Sequence, residues 1–205
     1  ELSSAEKNIG KLLDFFAVRW SAQPFDQFLA EHKTIRAIRV FCSSDTLAEL
    51  IAELDESSTA TRRWREDVHS AFIYSTENTT SLQRAAGVLG CGRLQEAGAD
   101  KESAGRLVIN SDSEFCGVMA GVKIKPLAPP RALLSGPFSN GTRSIISLNE
   151  QSAFILARHH GVRLFLSTSS QIIDLDAALE DGIFDIREHA LTALPITLYV
   201  KWAFA

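Results

Sequence analysis

The sequence predicts an α/β protein, with Rossmann-like βαβ units around a mainly parallel sheet and two part-domains. Three observations carry this expectation. Short apolar runs rich in β-branched residues alternate along the chain with stretches whose apolar residues recur at helical spacing. The segment Lys125-Pro-Leu-Ala-Pro-Pro130 interrupts the alternation, and three prolines in five positions preclude a helix and remove ladder donors. Beyond it, residues 131–170 read as a strand, the loop Gly136-Pro-Phe-Ser-Asn-Gly141, a helix and a second, parallel strand. In such a unit the loop's free amides and the first helical turn face a ligand with partial positive charge.

Each element follows from the residues in order. Ser3 or Ser4 can cap a first helix whose Ile9, Leu12, Leu13 and Phe16 share a face, and Pro24 can open a second helix carrying Phe25, Phe28 and Leu29. Alternation over Ile35, Ala37 or Ile38, and Val40 predicts a strand ending at Ser43-Ser44-Asp45. Ser44 then caps a helix with Leu47, Leu50, Ile51 and Leu54 on one stripe, closed by the polar stretch 55–61. The run Ala71-Phe-Ile-Tyr74 is a second strand, and residues 75–80 turn it into a helix bearing Leu82, Ala86 and Leu89, stopped by Gly90. A short strand around Arg93-Leu94, a loop at 96–105, a strand at 106–110 and an extended stretch at 115–127 follow, the last two pairing as a hairpin. After the prolines come strand 131–135, the glycine loop, a helix ending at His159-His160-Gly161, strand 162–168, a helix from about 174 to 180 and strand 196–204. The expected organisation is an α/β domain over 1–125, a linker at 126–130 and the start of a Rossmann-like domain over 131–205.

Composition narrows the function classes. A net charge of −4 and a pI near 5.8 provide no global basic field for nucleic acid, and the local group Arg62, Arg63 and Arg65 is followed at once by Glu66 and Asp67. Cys42, Cys91 and Cys116 are odd in number and form no Cys-x-x-Cys pair, so the expectation is buried thiols in a reducing cytosol. No apolar run approaches the roughly 20 residues of a membrane span. The chain begins without methionine and stops after the apolar Trp202-Ala-Phe204, which reads either as a segment of a longer polypeptide or as a final strand tucked into the sheet.

No complete catalytic motif is present. Gly136-x4-Gly141 has the spacing of a nucleoside-triphosphate loop, but Thr142 stands at the lysine position and Arg143 at the magnesium-binding hydroxyl position. The loop can bring a ligand close to the backbone or simply connect a strand to a helix tightly. Ser147-Leu-Asn-Glu150 matches a capping box and would start that helix six residues beyond Gly141. His159-His160 suits a helix C-terminus, and Asp174, Asp176, Glu180 and Asp181 suit helix caps better than a metal site. Ser167 and Ser169 end a strand where open α/β sheets place ligands, or cap the next helix.

The C-terminal third resembles a family. Leu133-Leu-Ser-Gly-Pro-Phe-Ser-Asn-Gly141, Ser147-Leu-Asn-Glu150, Ala157-Arg158 and Gly161-Val-Arg-Leu-Phe165 resemble the opening of glycosyltransferases with the GT-B fold, and Leu194 to Phe204 fits a following strand. The resemblance implies an acceptor-side domain in which Gly136, Phe138, Ser139 and Gly141 line a cleft for a carbohydrate or glycan acceptor; Ser167 and Ser169 join them as contact candidates by their place at a strand end. No cofactor is expected within the segment, because the nucleotide-sugar donor would be held by a domain following Ala205. Phe25 to His32, the strand Ile35 to Phe41, Phe72-Ile-Tyr74 and the helix into Leu89-Gly90 resemble the C-terminal part of an FkbM-type methyltransferase, with Ser43-Ser44-Asp45 in place of that family's acidic, glycine-containing motif. The reading from a different class is a non-catalytic nucleotide-binding or scaffolding α/β module.

Overall fold

The computed structural model describes residues 2–53, 58–96, 107–110, 121, 123–124, 130, 132–169 and 202–204. Ser3 opens α1 (Ser4–Phe15) with a capping box: its hydroxyl accepts from the Glu6 amide, and the Glu6 carboxylate accepts from the Ser3 amide. Helix α2 (Phe25–Glu31) follows Pro24 as expected. The first strand lies later than its alternation suggested, at β1 (Ile38–Ser43), and runs directly into α3 (Ser44–Glu53). Ser43, not Ser44, supplies the helix-start hydroxyl, accepting from the Thr46 amide at 3.1 Å.

A helix hidden in the polar stretch comes next. α4 (Thr59–Asp67) is capped by Ser58, whose Oγ accepts from the Thr61 amide at 3.0 Å. Its arginines are not a uniformly solvated surface. Arg62 and Arg65 are exposed, but Arg63 is buried, hydrogen-bonded to Asp67 one turn on, and its other nitrogen donates to the carbonyls of His32 and Ile35. The chain continues through β2 (Val68–Tyr74), α5 (Thr79–Val88), β3 (Arg93–Glu96), β4 (Leu107–Ile109), β5 (Lys123–Ile124), β6 (Ala132–Ser135), β7 (Arg143–Leu148), β8 (Gln151–His159) and β9 (Val162–Ser167). The expected hairpin of β4 and β5 is present as an antiparallel pair.

The α/β class holds; the described residues form a mixed sheet of nine strands with main order β1-β2-β9-β8-β7-β4-β5, in which β6 pairs with β3 and β8. Strands β1, β2 and β9 are parallel neighbours, while every pairing that involves β3 to β8 is antiparallel. The sheet runs across the expected boundary at 126–130, because β2 from before it pairs with β9 from beyond it.

One expectation is overturned outright. The helix between the glycine loop and His159 is a hairpin, β7 and β8, so residues 131–170 do not form a βαβ unit. Two causes are visible. Asn149 and Glu150 adopt φ of 47° and 70°, the left-handed pair that turns two residues between antiparallel strands. Residues 152–157 are all buried, which demands cover on both faces and suits a central strand better than a one-stripe helix. Ser147 of the supposed capping box is a strand residue donating to Asn110 Oδ1 at 2.8 Å. The His159-His160-Gly161 segment likewise closes the β8–β9 hairpin, with φ of 49° at His160 and 87° at Gly161. Residues 202–204 are helical, not extended; the expected helix at 174–180 and residues 196–201 lie outside the described residues.

Side-chain alternation sorts the core into two layers. Phe72, Phe154, Leu156 and Phe165 join Ile9, Leu12, Leu13 and Trp202 on one face. Ala71, Ile73, Ile155, Ala157, Leu164 and Leu166 join Leu29, Leu47, Trp64, Leu82 and Leu89 on the other, beneath α2 to α5. On the α1 face Phe41, Phe72 and Phe165 form a row across three parallel strands, with Phe72 and Phe165 stacked at 6.2 Å and Trp202 resting on Phe41 and Phe72. Among the described residues no helix is long and apolar enough to cross a membrane.

Candidate functional site

Parallel pairing brings the C-terminal ends of β1, β2 and β9 to one edge, where each strand runs into a hydroxyl-bearing turn: Ser43-Ser44, Ser75-Thr76 and Ser167-Thr168-Ser169. Open α/β sheets place ligands at this edge because side chains of successive turns converge there and helix N-termini point toward it. The turns are tied to one another. The Ser75 amide donates to the Ser167 carbonyl at 3.0 Å, the Ser169 amide to Ser167 Oγ at 3.2 Å, and the Ser167 hydroxyl back to the Ser169 carbonyl at 2.9 Å. Ser167 and Ser169 are buried within this network, as are Ser44 and Ser75.

The accessible part of the edge is the rim around Asp45. Thr76 Oγ1 donates to its Oδ2 at 2.6 Å and Asn78 Nδ2 to its Oδ1 at 2.9 Å. Hydrogen bonds from Ser81 and Thr76, and then Asn78, hold the Asp45 carboxyl below the usual carboxylate range, against an opposing effect of burial. The carboxylate is therefore ionised at neutral pH. With about four lone-pair directions on its two oxygens, three donors leave room for one more. Asn78 also caps α5, its Oδ1 accepting from the Ser81 amide. From the α1 face, Ser3 Oγ meets the Tyr74 hydroxyl at 2.9 Å, and burial pushes the Tyr74 phenol up to about 12.

The electrostatics disfavour a phosphate here. Asp45 lies in the first turn of α3, so a negative charge already occupies the positive end of that helix dipole. Serine, threonine and asparagine groups around a carboxylate suit donors and acceptors of a neutral, hydroxyl-rich molecule.

The glycine loop is a separate place with a structural task. Gly136, Ser139 and Gly141 are exposed, and Phe138 is half-buried against the layer under α5. The Ser139 amide donates to the Gly90 carbonyl at 3.0 Å, and its hydroxyl meets Thr142 Oγ1 at 3.0 Å. A Cβ on Gly92 would stand 2.4 Å from the Ser135 carbonyl oxygen and 2.9 Å from the Phe138 ring, so a glycine is required where the loop docks. The expected cleft residues thus fall into two groups with different neighbours: Gly136 to Gly141 on residues 90–92, Ser167 and Ser169 on the turn after β2.

Sequence reasoning does not reach Asp45, Thr76 and Asn78 as candidate site residues, although the chain carries a signal for them. Each predicted parallel strand ends in Ser or Thr, and the two turns carrying Asp45 and Asn78 meet only once β1 and β2 are placed side by side. Cys42 and Cys91 are free and buried, and burial pushes both thiols up to about 12, which leaves them protonated and poor nucleophiles. Cys116 lies outside the described residues. The His159 and His160 rings meet edge to face with centroids 4.3 Å apart, and no group of three His, Cys, Asp or Glu among the described residues could hold a metal ion.

No protein-family model matches the chain. No curated protein matches it in sequence either.

Proposed function

We propose that the protein is a non-catalytic α/β module that binds a neutral carbohydrate at the edge formed by β1, β2 and β9. The observation that supports this reading is the Asp45 rim, an ionised carboxylate ringed by Thr76, Asn78 and Ser81 with an acceptor position left over. Sugar hydroxyls donate to carboxylates and accept from amide and hydroxyl donors, so this set recognises a polyol without a basic residue. In a larger carbohydrate-modifying protein such a module holds the acceptor and leaves the nucleotide-sugar donor to another domain.

Isothermal titration of the chain with neutral oligosaccharides tests the reading. Saturable binding is expected, with Asp45→Asn weakening it about ten-fold through loss of a charge-assisted hydrogen bond. Binding unaffected by that substitution, or tight binding of a nucleotide with its hydrolysis, contradicts it.

A further inference from the structure

The opposite end of the sheet has a different chemistry. β1, β2 and β9 begin there, and the β8–β9 turn lies at the same end. Residues 151–173 contain no Asp or Glu, yet Arg158, His159, His160 and Arg163 fall within six positions of one another. Strands β1 and β2 also lack acidic residues and bring Arg39 and His69 to this end. Asp67, just before β2, is buried and already engaged by Arg63 and by Arg36 at 2.9 Å.

Arg158 and Arg163 are direct cross-strand partners. Their neighbours Ala157, Val162 and Leu164 belong to the layer beneath α2 to α5, so alternation turns both arginines to the α1 face. At such positions Cβ atoms lie about 5 Å apart, and like charges directly opposite destabilise the pair of strands. Neither arginine has an ion pair with a carboxylate among the described residues; Arg158 is exposed and Arg163 half-buried. Ser70, the partner of Arg163 on β2, continues the row to Arg39.

We propose that the Arg158–Arg163 pair is a binding site for a uronate-bearing glycan, separate from the neutral-ligand rim and independent of it. Each guanidinium presents a planar fork that matches a carboxylate bidentately, and two adjacent forks engage successive carboxylates of one chain. A stiff acidic glycan loses little conformational freedom on pairing, whereas an acidic peptide must first be ordered.

Affinity electrophoresis of the full chain in gels containing polygalacturonate or dextran tests the site. At low salt polygalacturonate is expected to retard the protein, and the double substitution Arg158→Gln, Arg163→Gln to weaken that effect about ten-fold. The double variant should keep or raise its melting temperature, since a like-charge contact is removed, and any retardation by dextran should be unchanged. A loss confined to polygalacturonate therefore separates this site from the Asp45 rim. Equal retardation of variant and parent by polygalacturonate overturns the proposal. So does stronger binding of polyglutamate or of an RNA homopolymer in competition.

Discussion

The parallel and antiparallel halves of the sheet are held by different means. In the parallel half, Phe41, Phe72 and Phe165 stack across three strands, and both faces are covered, by α1 with Trp202 and by α2 to α5. Between β4, β7 and β8 a polar seam does part of the work. Asn110 Nδ2 donates to Ser144 O at 3.0 Å and meets Ser144 Oγ at 2.9 Å, Ser147 donates to Asn110 Oδ1, and the Ser152 hydroxyl donates to Ser144 Oγ at 2.7 Å. Apolar stacking tolerates relaxation after a loss, while a half-buried polar seam specifies register because each group left unpaired away from water is costly. The parallel half therefore rests on apolar stacking, and the polar seam fixes how β7 and β8 align.

The largest effect is expected at the centre of the aromatic row. Phe72→Ala removes a fully buried ring that touches Phe41, Phe154, Phe165 and Trp202, and should cost about 3–5 kcal/mol in urea denaturation. An effect below about 1 kcal/mol would mean that the row is not the core of the parallel half.

Next comes the clamp that holds α4 against the segment leading into β1. Asp67→Ala strands the buried Arg63 guanidinium, which otherwise pins the His32 and Ile35 carbonyls, so a loss of about 3 kcal/mol is expected. Asp67→Asn should recover part of it by keeping one acceptor, and equal losses for the two variants would deny the carboxylate its role.

A smaller change sharpens the antiparallel half. Glu150→Gly removes a side chain from a residue at φ of 70° and should stabilise the protein by about 1 kcal/mol, read as a higher midpoint with unchanged slope in denaturant. Destabilisation there would argue against the two-residue turn that replaces the expected helix.

The smallest effect concerns pH. Burial, with His160 and Arg65 nearby, lowers the pKa of His159 below the ordinary histidine value. A base that is harder to protonate in the folded state contributes stability that is full above the unfolded pKa, about 6.5, and is lost as pH falls toward the folded value. His159→Gln should flatten the fall in melting temperature below that pH, whereas an unchanged slope would assign the fall to other groups.

Much of the parallel half was legible in the chain because its helices bury one stripe each and its elements have clear punctuation. The capping box at Ser3 and the Ser43 hydroxyl at the end of β1 mark ends that local hydrogen bonding sets, and Pro24 marks one by its fixed φ. Helix α4 escaped because its mostly polar residues carry few apolar positions, and its buried face includes Arg63 and Asp67, which sequence periodicity scores as surface. Residues 147–159 misled for the converse reason. A central strand buried on both faces has no period to read, and Ser-x-x-Glu is as compatible with a hairpin turn as with a helix start. The Asp45 rim depends on contacts between residues 45 and 76–81, so it became visible only when pairing of β1 with β2 set their turns side by side.

The most direct measurement is an NMR titration of the labelled full chain with neutral oligosaccharides. Binding at the Asp45 rim should give saturable shifts concentrated at the amides of residues 43–46 and 75–81, with the glycine loop at 136–141 unmoved. Shifts centred on that loop, or none at saturating sugar, would contradict it.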